Sequence, residues 1–157
     1  KPLNSMLTSV SAGIYDCIGF FENNELLGYA FFVRLEDNYL LDYFAVVENK
    51  RNLGYGSMFL RLLSEYLSNA KSIIIEVENP KFATSDIELN VMNRRMDFYR
   101  RNGFVSTDVE VILFGVRFVL LVPESLNTFT SDKLREIYKS HYRAVLPDSL
   151  FNRYVLV

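Results

Sequence analysis

Hydrophobic positions along the chain change period several times. Tyr15 to Phe21 and Leu26 to Arg34 are rich in aromatic and β-branched residues and flank Asn23-Asn24. Tyr39 to Val47 follows the polar Glu36-Asp37-Asn38, so three strands joined by tight turns are predicted to form an antiparallel meander. Leu3 to Ala12, ahead of them, reads as a short helix. After Gly56, residues Met58, Phe59, Leu62, Leu63, Tyr66 and Leu67 recur at helical spacing and predict an amphipathic helix with that stripe against the sheet. Arg61, Ser64 and Glu65 then face away. Ser72 to Glu78 is β-branched and strand-like, and a strand, helix, strand order predicts that it runs parallel to Tyr39–Val47 with a right-handed crossover, making the sheet mixed.

Pro80 to Asp86 reads as loop and Ile87 to Asn102 as a second helix, stopped by Gly103 with Phe104 as the apolar partner of the cap. Val105 to Leu113 and Arg117 to Val122 form a hairpin around Gly115. Ser131 is predicted to cap a helix over Asp132 to Tyr142. Phe151 to Val157 reads as a terminal strand that adds to a sheet edge, docks on the core or pairs across a dimer. The class is α/β.

Half of the 157 residues are hydrophobic and the net charge is −2, which suits one domain with a sizeable core and gives no electrostatic reason to expect nucleic acid binding. The single cysteine, Cys17, cannot form an internal disulfide and fits a reducing cytoplasm; within Cys17-Ile18-Gly19-Phe20 it reads as a buried thiol rather than a nucleophile. No apolar run reaches the roughly 18 residues of a membrane span, and the first residues do not read as a signal peptide. No metal is called for. The chain is expected to be a monomer or a homodimer.

A phosphate-binding loop is predicted at Arg51-Asn52-Leu53-Gly54-Tyr55-Gly56, which joins the third strand to the first long helix. The first amides of a helix lack partners and lie at the positive end of its dipole, so glycines there let an anion approach bare backbone. Leu53, Gly54, Tyr55, Gly56 and Ser57 can supply such amides as a nest. A Walker A loop is excluded because no Gly-Lys-Ser/Thr run exists, and a dinucleotide fingerprint because its third glycine position is Phe59. A plain strand-to-helix turn is the other reading of the two glycines.

The loop resembles the coenzyme A pyrophosphate loop of the GNAT acetyltransferase superfamily, Q/R-x-x-G-x-G/A, and Arg95 to Phe104 looks like that family's late helix motif ending in Tyr-x-x-x-Gly-Phe. The order of elements from about Tyr15 to Val122 is similar as well. The resemblance implies a GNAT fold with a mixed central sheet flanked by helices: one domain over 1–157, with its core at about 15–122 and a helix and strand extension at 123–157. Two departures stand out. The family's first strand and first helix are missing or reduced before Tyr15, and the loop from Asn79 to Asn90 is longer than in many members.

By the same resemblance the donor is acetyl-CoA and the reaction N-acetylation of a primary amine on a small molecule, peptide or protein. The pantetheine arm pairs with the backbone of Phe44, Ala45 and Val46, Arg51 adds charge at the pyrophosphate, and Asn93 contacts the cofactor arm. Tyr99 matches the tyrosine that protonates the departing thiolate, against a packing role beside Phe98 with its hydroxyl tied off. Glu76, in Ile75-Glu76-Val77, is the first candidate for the base, because a carboxylate in an apolar strand is costly unless paired or working. Asp42, which alternation sets opposite Leu41 and Tyr43, is the second and Glu78 the third. A structural ion pair is the other reading for each. His141, the single histidine, reads as surface. A non-catalytic acyl-CoA-binding sensor or interaction module is the alternative function.

Overall fold

In the computed structural model, which describes residues 3–157, the chain forms two compact units, Lys1–Lys71 and Ser72–Val157. The first contains α1 (Leu3–Ser11), β1 (Tyr15–Glu22), β2 (Glu25–Leu35), β3 (Asn38–Val46) and α2 (Tyr55–Tyr66). Its three strands form the expected antiparallel meander. The β1–β2 turn places Asn23 and Asn24 at φ +48° and +66°, a conformation asparagine tolerates better than most residues and one that matches hairpin twist. Gly28 is obligatory for a different reason. A Cβ there would lie 2.5 Å from the Ala45 carbonyl oxygen, so the β2 and β3 backbones approach too closely for any side chain.

Helix α2 docks through Phe59, whose ring stacks on Phe20 of β1 at 5.0 Å and on Phe44 of β3 at 5.3 Å. Leu60, Leu63 and Leu67 complete the buried stripe. The expected stripe is therefore rotated: Met58, Leu62 and Tyr66 stay exposed. Apolar residues occupy adjacent pairs of positions along this helix, so periodicity leaves two faces nearly equal, and the aromatic slot between Phe20 and Phe44 selects between them. Cys17 also departs from expectation, being exposed on β1. Partial burial and the Asp16 carboxylate push its thiol up, which disfavours the thiolate.

The second unit contains β4 (Ser72–Glu78), α3 (Asp86–Arg101), β5 (Phe104–Leu113), β6 (Val116–Pro123), α4 (Ser131–Val145), α5 (Asp148–Tyr154) and β7 (Val155–Leu156). β6 pairs antiparallel with β4 and β5, and β5 with β7. Ile73, Ile74, Ile75 and Val77 are all buried, so β4 is covered on both faces, which explains its continuous apolar run. Helix α3 is capped at both ends. The Ser85 hydroxyl accepts from the Glu88 amide at 3.2 Å, the Glu88 carboxylate accepts from the Thr84 amide at 2.6 Å, and Gly103 closes the helix at φ +84°.

Three expectations are corrected in this unit. Thr130, not Ser131, caps α4 by accepting from the Lys133 amide, and the Ser131 hydroxyl donates instead to Asp108 on β5. His141 is fully buried, its Nδ1 donating to the Ile137 carbonyl at 2.7 Å. The terminal strand is mostly helix: Asp148 to Tyr154 has no β-branched residue, follows Pro147 and carries an aspartate in its first turn, so helix wins until Val155. Only Val155 and Leu156 reach the β5 edge, the sheet-edge choice among the three placements considered.

Phe59→Ala should destabilise the chain by about 3–5 kcal/mol, since it empties a slot between two rings that the backbone holds apart. Urea unfolding measures it, and a loss below about 1 kcal/mol would mean that α2 does not depend on this contact.

Candidate functional site

In the first unit the candidate anion loop is built as a strand-to-helix turn. After β3 a single turn of 3-10 helix, Glu48–Lys50, leads into Asn52 at φ +62° and Gly54 at φ +87°, and α2 begins at Tyr55. Gly54 is the N-cap, but no side chain caps the helix and no acidic residue lies in its first turn. The first intrahelical bond in this turn runs from the Met58 amide to the Gly54 carbonyl, so the amides of Tyr55, Gly56 and Ser57 precede the ladder. Arg51 is exposed, and its Nε donates to the Val46 carbonyl at 3.0 Å, tying the loop to the end of β3. Its guanidinium makes no ion pair among the described residues. Lys50 lies 3.6 Å from Glu25, and the Tyr55 hydroxyl donates to Glu22.

The backbone of Phe44, Ala45 and Val46 pairs with Ala30, Tyr29 and Gly28 along one edge of β3. Asp42 sits at a bulge, where pairing steps from Phe31↔Tyr43 to Phe32↔Leu41. The Tyr15 hydroxyl donates to its carboxylate. Burial, then this hydrogen bond, raises Tyr15 far above the ordinary tyrosine range, so the phenol keeps its proton. The tyrosine partner is 27 positions away, and no spacing signal in the sequence reveals it.

The second unit holds Glu76, Glu78, Asn93 and Tyr99. Glu76 is half-buried on β4 and accepts a hydrogen bond from the Tyr142 hydroxyl of α4 at 2.6 Å. Glu78, at the strand end, pairs with Arg95 of α3 at 2.7 Å, the structural ion pair considered for it. Asn93 lies exposed on α3. Tyr99 packs against Phe98 at 5.1 Å and Phe104 at 5.9 Å, and no hydrogen bond to another described residue ties off its hydroxyl. Burial pushes it up to about 12, partly offset by the Arg95 charge. Such a phenol is protonated at neutral pH and has a proton to give.

A separate cleft of about 390 Å³ in the first unit is lined by Asp16, Arg34, Asp37, Tyr39 and Tyr66 among others and contains none of the candidate residues. Its carboxylates are engaged, Asp16 with Arg34 and Asp37 with Lys71, each at 3.1 Å. Among the described residues no group of three or more His, Cys, Asp and Glu is placed to hold a metal ion, and no helix is long and apolar enough to cross a membrane.

No protein-family model matches the chain, and no curated protein does. Solved structures do. A protein from Bacteroides thetaiotaomicron described as a GNAT-family acetyltransferase superposes with a TM-score of 0.72 at 21% identity, over 92% of this chain and 81% of that one. The chain has the GNAT fold. The ribosomal-protein-S18-alanine N-acetyltransferase of Escherichia coli matches at a TM-score of 0.54 and 14% identity, over 73% of this chain and 74% of that one. A GNAT-family acetyltransferase from Elizabethkingia anophelis, solved with acetyl-CoA bound, matches at 0.53 and 17%, over 74% and 78%. The GNAT fold is the mixed sheet flanked by helices that the two spaced motifs imply, and it puts Gly54 to Ser57 at the start of a helix and Tyr99 near the end of another.

Tyr99 titration is measurable directly. The phenolate absorbance difference between wild type and Tyr99→Phe should stay flat through the ordinary tyrosine range near 10 and rise only toward about 12. The folded chain holds this proton more tightly than the unfolded one, so the corresponding stability is fully present below pH 10 and is lost as pH rises through about 12. A difference that rises near pH 10 in folded protein would remove the buried, protonated phenol.

Proposed function

We propose that the chain is an acetyl-CoA-dependent N-acetyltransferase that transfers the acetyl group to a primary amine of a small molecule, peptide or protein. One observation carries this: on a GNAT fold, α2 begins on a left-handed glycine with no side-chain cap and no acidic residue in its first turn. Many helices end their bare amides on a Ser, Thr or Asp, as α3 and α4 do here with Ser85 and Thr130. Helix α2 leaves its own to be met from outside, at the loop where the family binds pyrophosphate.

In this reading Asn52, Leu53, Gly54, Tyr55, Gly56 and Ser57 cradle the pyrophosphate with Arg51 beside them. Phe44, Ala45 and Val46 lend backbone to the pantetheine arm, and Asn93 contacts it from α3. Bound acetyl-CoA supplies a thioester carbonyl open to attack by a neutral amine. Tyr99 then gives its proton to the departing sulfur as negative charge builds on it. Glu76 takes the ammonium proton of the incoming amine, directly or through water, with Asp42 in reserve. Residues 1–157 act as one acetyltransferase domain with a core at about 15–122 and an extension at 123–157, working in the cytoplasm.

Thiol release from acetyl-CoA with a panel of amines tests the proposal. Tyr99→Phe should lower turnover by about 10²-fold or more with acetyl-CoA affinity nearly unchanged. Glu76→Gln should lose most at low pH, where the amine carries its own proton, and recover as pH rises. If Asp42→Asn shows that pattern and Glu76→Gln does not, the base is Asp42. Tight acetyl-CoA binding with no thiol released by any amine would instead leave a binding module.

A further inference from the structure

Glu76 is held by a residue beyond the core at about 15–122 on which the motif resemblance rests. Its Oε1 accepts from the Tyr142 hydroxyl at 2.6 Å, across 66 positions of sequence. Tyr142 is 2% exposed, and its ring packs on Tyr138 at 5.0 Å. Helix α4 is itself pinned: Thr130 caps it, the Ser131 hydroxyl donates to Asp108 of β5 at 2.5 Å, and Leu134, Tyr138 and His141 are buried along it. The phenol therefore has a fixed position from which to meet the carboxylate.

We propose that Tyr142 is a positioning residue for Glu76: its hydroxyl fixes the carboxylate in one orientation and favours its ionised form, which makes the C-terminal extension a working part of the site. The inference rests on the reading of Glu76 as the base. At neutral pH a phenol is the only possible donor in a phenol–carboxylate pair, and a donor to the charged form stabilises it. That keeps a half-buried carboxylate ready to accept a proton at pH values where an undonated one would already hold it. On the elements around it in this unit, Glu78 lies two positions on along the same face of β4 and is paired with Arg95 of α3, α3 also carries Tyr99, α4 carries Tyr138 and His141 beside Tyr142, and the residue opposite Glu76 on β6 is Leu120.

The test is a carboxyl-carbon NMR titration of the full chain labelled at glutamate, with the Glu76 signal assigned by its loss in Glu76→Gln. In Tyr142→Phe the Glu76 midpoint should rise by roughly 0.5 to 1 pH unit. The acidic limb of thiol release from acetyl-CoA should move up by the same amount, with CoA affinity unchanged. Replacing Tyr142 with 3-fluorotyrosine, a stronger donor of nearly the same volume, should move both downward, and it serves if Tyr142→Phe does not fold. Midpoints unmoved by either change overturn the proposal while leaving Glu76 its role. Midpoints that move while Glu76→Gln keeps the wild-type pH profile overturn both, since the pair then exists without serving catalysis.

Discussion

The entry to α2 is the constraint on which the first unit turns. Gly54 takes φ +87°, a conformation that a side chain makes costly, and in doing so reverses the chain from the end of β3 into a helix. The reversal succeeds because Phe59, one turn in, drops between Phe20 and Phe44. Burying that ring fixes the azimuth of the helix, and the azimuth fixes where the amides of its first turn point. Arg51 clips the loop to the Val46 carbonyl, so strand end, loop and helix start form one rigid corner. The direction of these amides thus depends on apolar packing a turn away from them.

Much of this was legible in the sequence wherever a local rule had no rival. The β-branched run from Ser72 to Glu78 is a strand to the residue, and Gly103 stops α3 as its position beside Phe104 implies. Reading failed where tertiary contacts decide. Two apolar faces compete on α2, and only the Phe20 and Phe44 rings choose between them. His141 lies in a helix that is charged along much of its length, yet one buried face carries it with Tyr138 and Tyr142. Phe151 is apolar and near the end, but the absence of β-branching from Asp148 to Tyr154 lets the helix persist.

The candidate carboxylates show the same division. That Asp42 and Glu76 are odd in apolar strands is visible in the sequence, whereas the tyrosine that meets each is not, because Tyr15 and Tyr142 are brought there by folding alone. Glu78 is the contrast: it lies at a strand end with Arg95 against it, and an ion pair accounts for it. Tyr99 differs from both tyrosine donors. Burial keeps its proton on, and no described carboxylate engages it.

All of this presumes that the bare amides at the start of α2 receive a pyrophosphate. The direct measurement is amide chemical-shift perturbation in the ¹⁵N-labelled chain, titrated in parallel with coenzyme A and with pantetheine, which lacks the pyrophosphate. The Gly54, Tyr55, Gly56 and Ser57 amides should move together with coenzyme A and stay in place with pantetheine. Saturation by coenzyme A with those four amides unmoved would contradict the account.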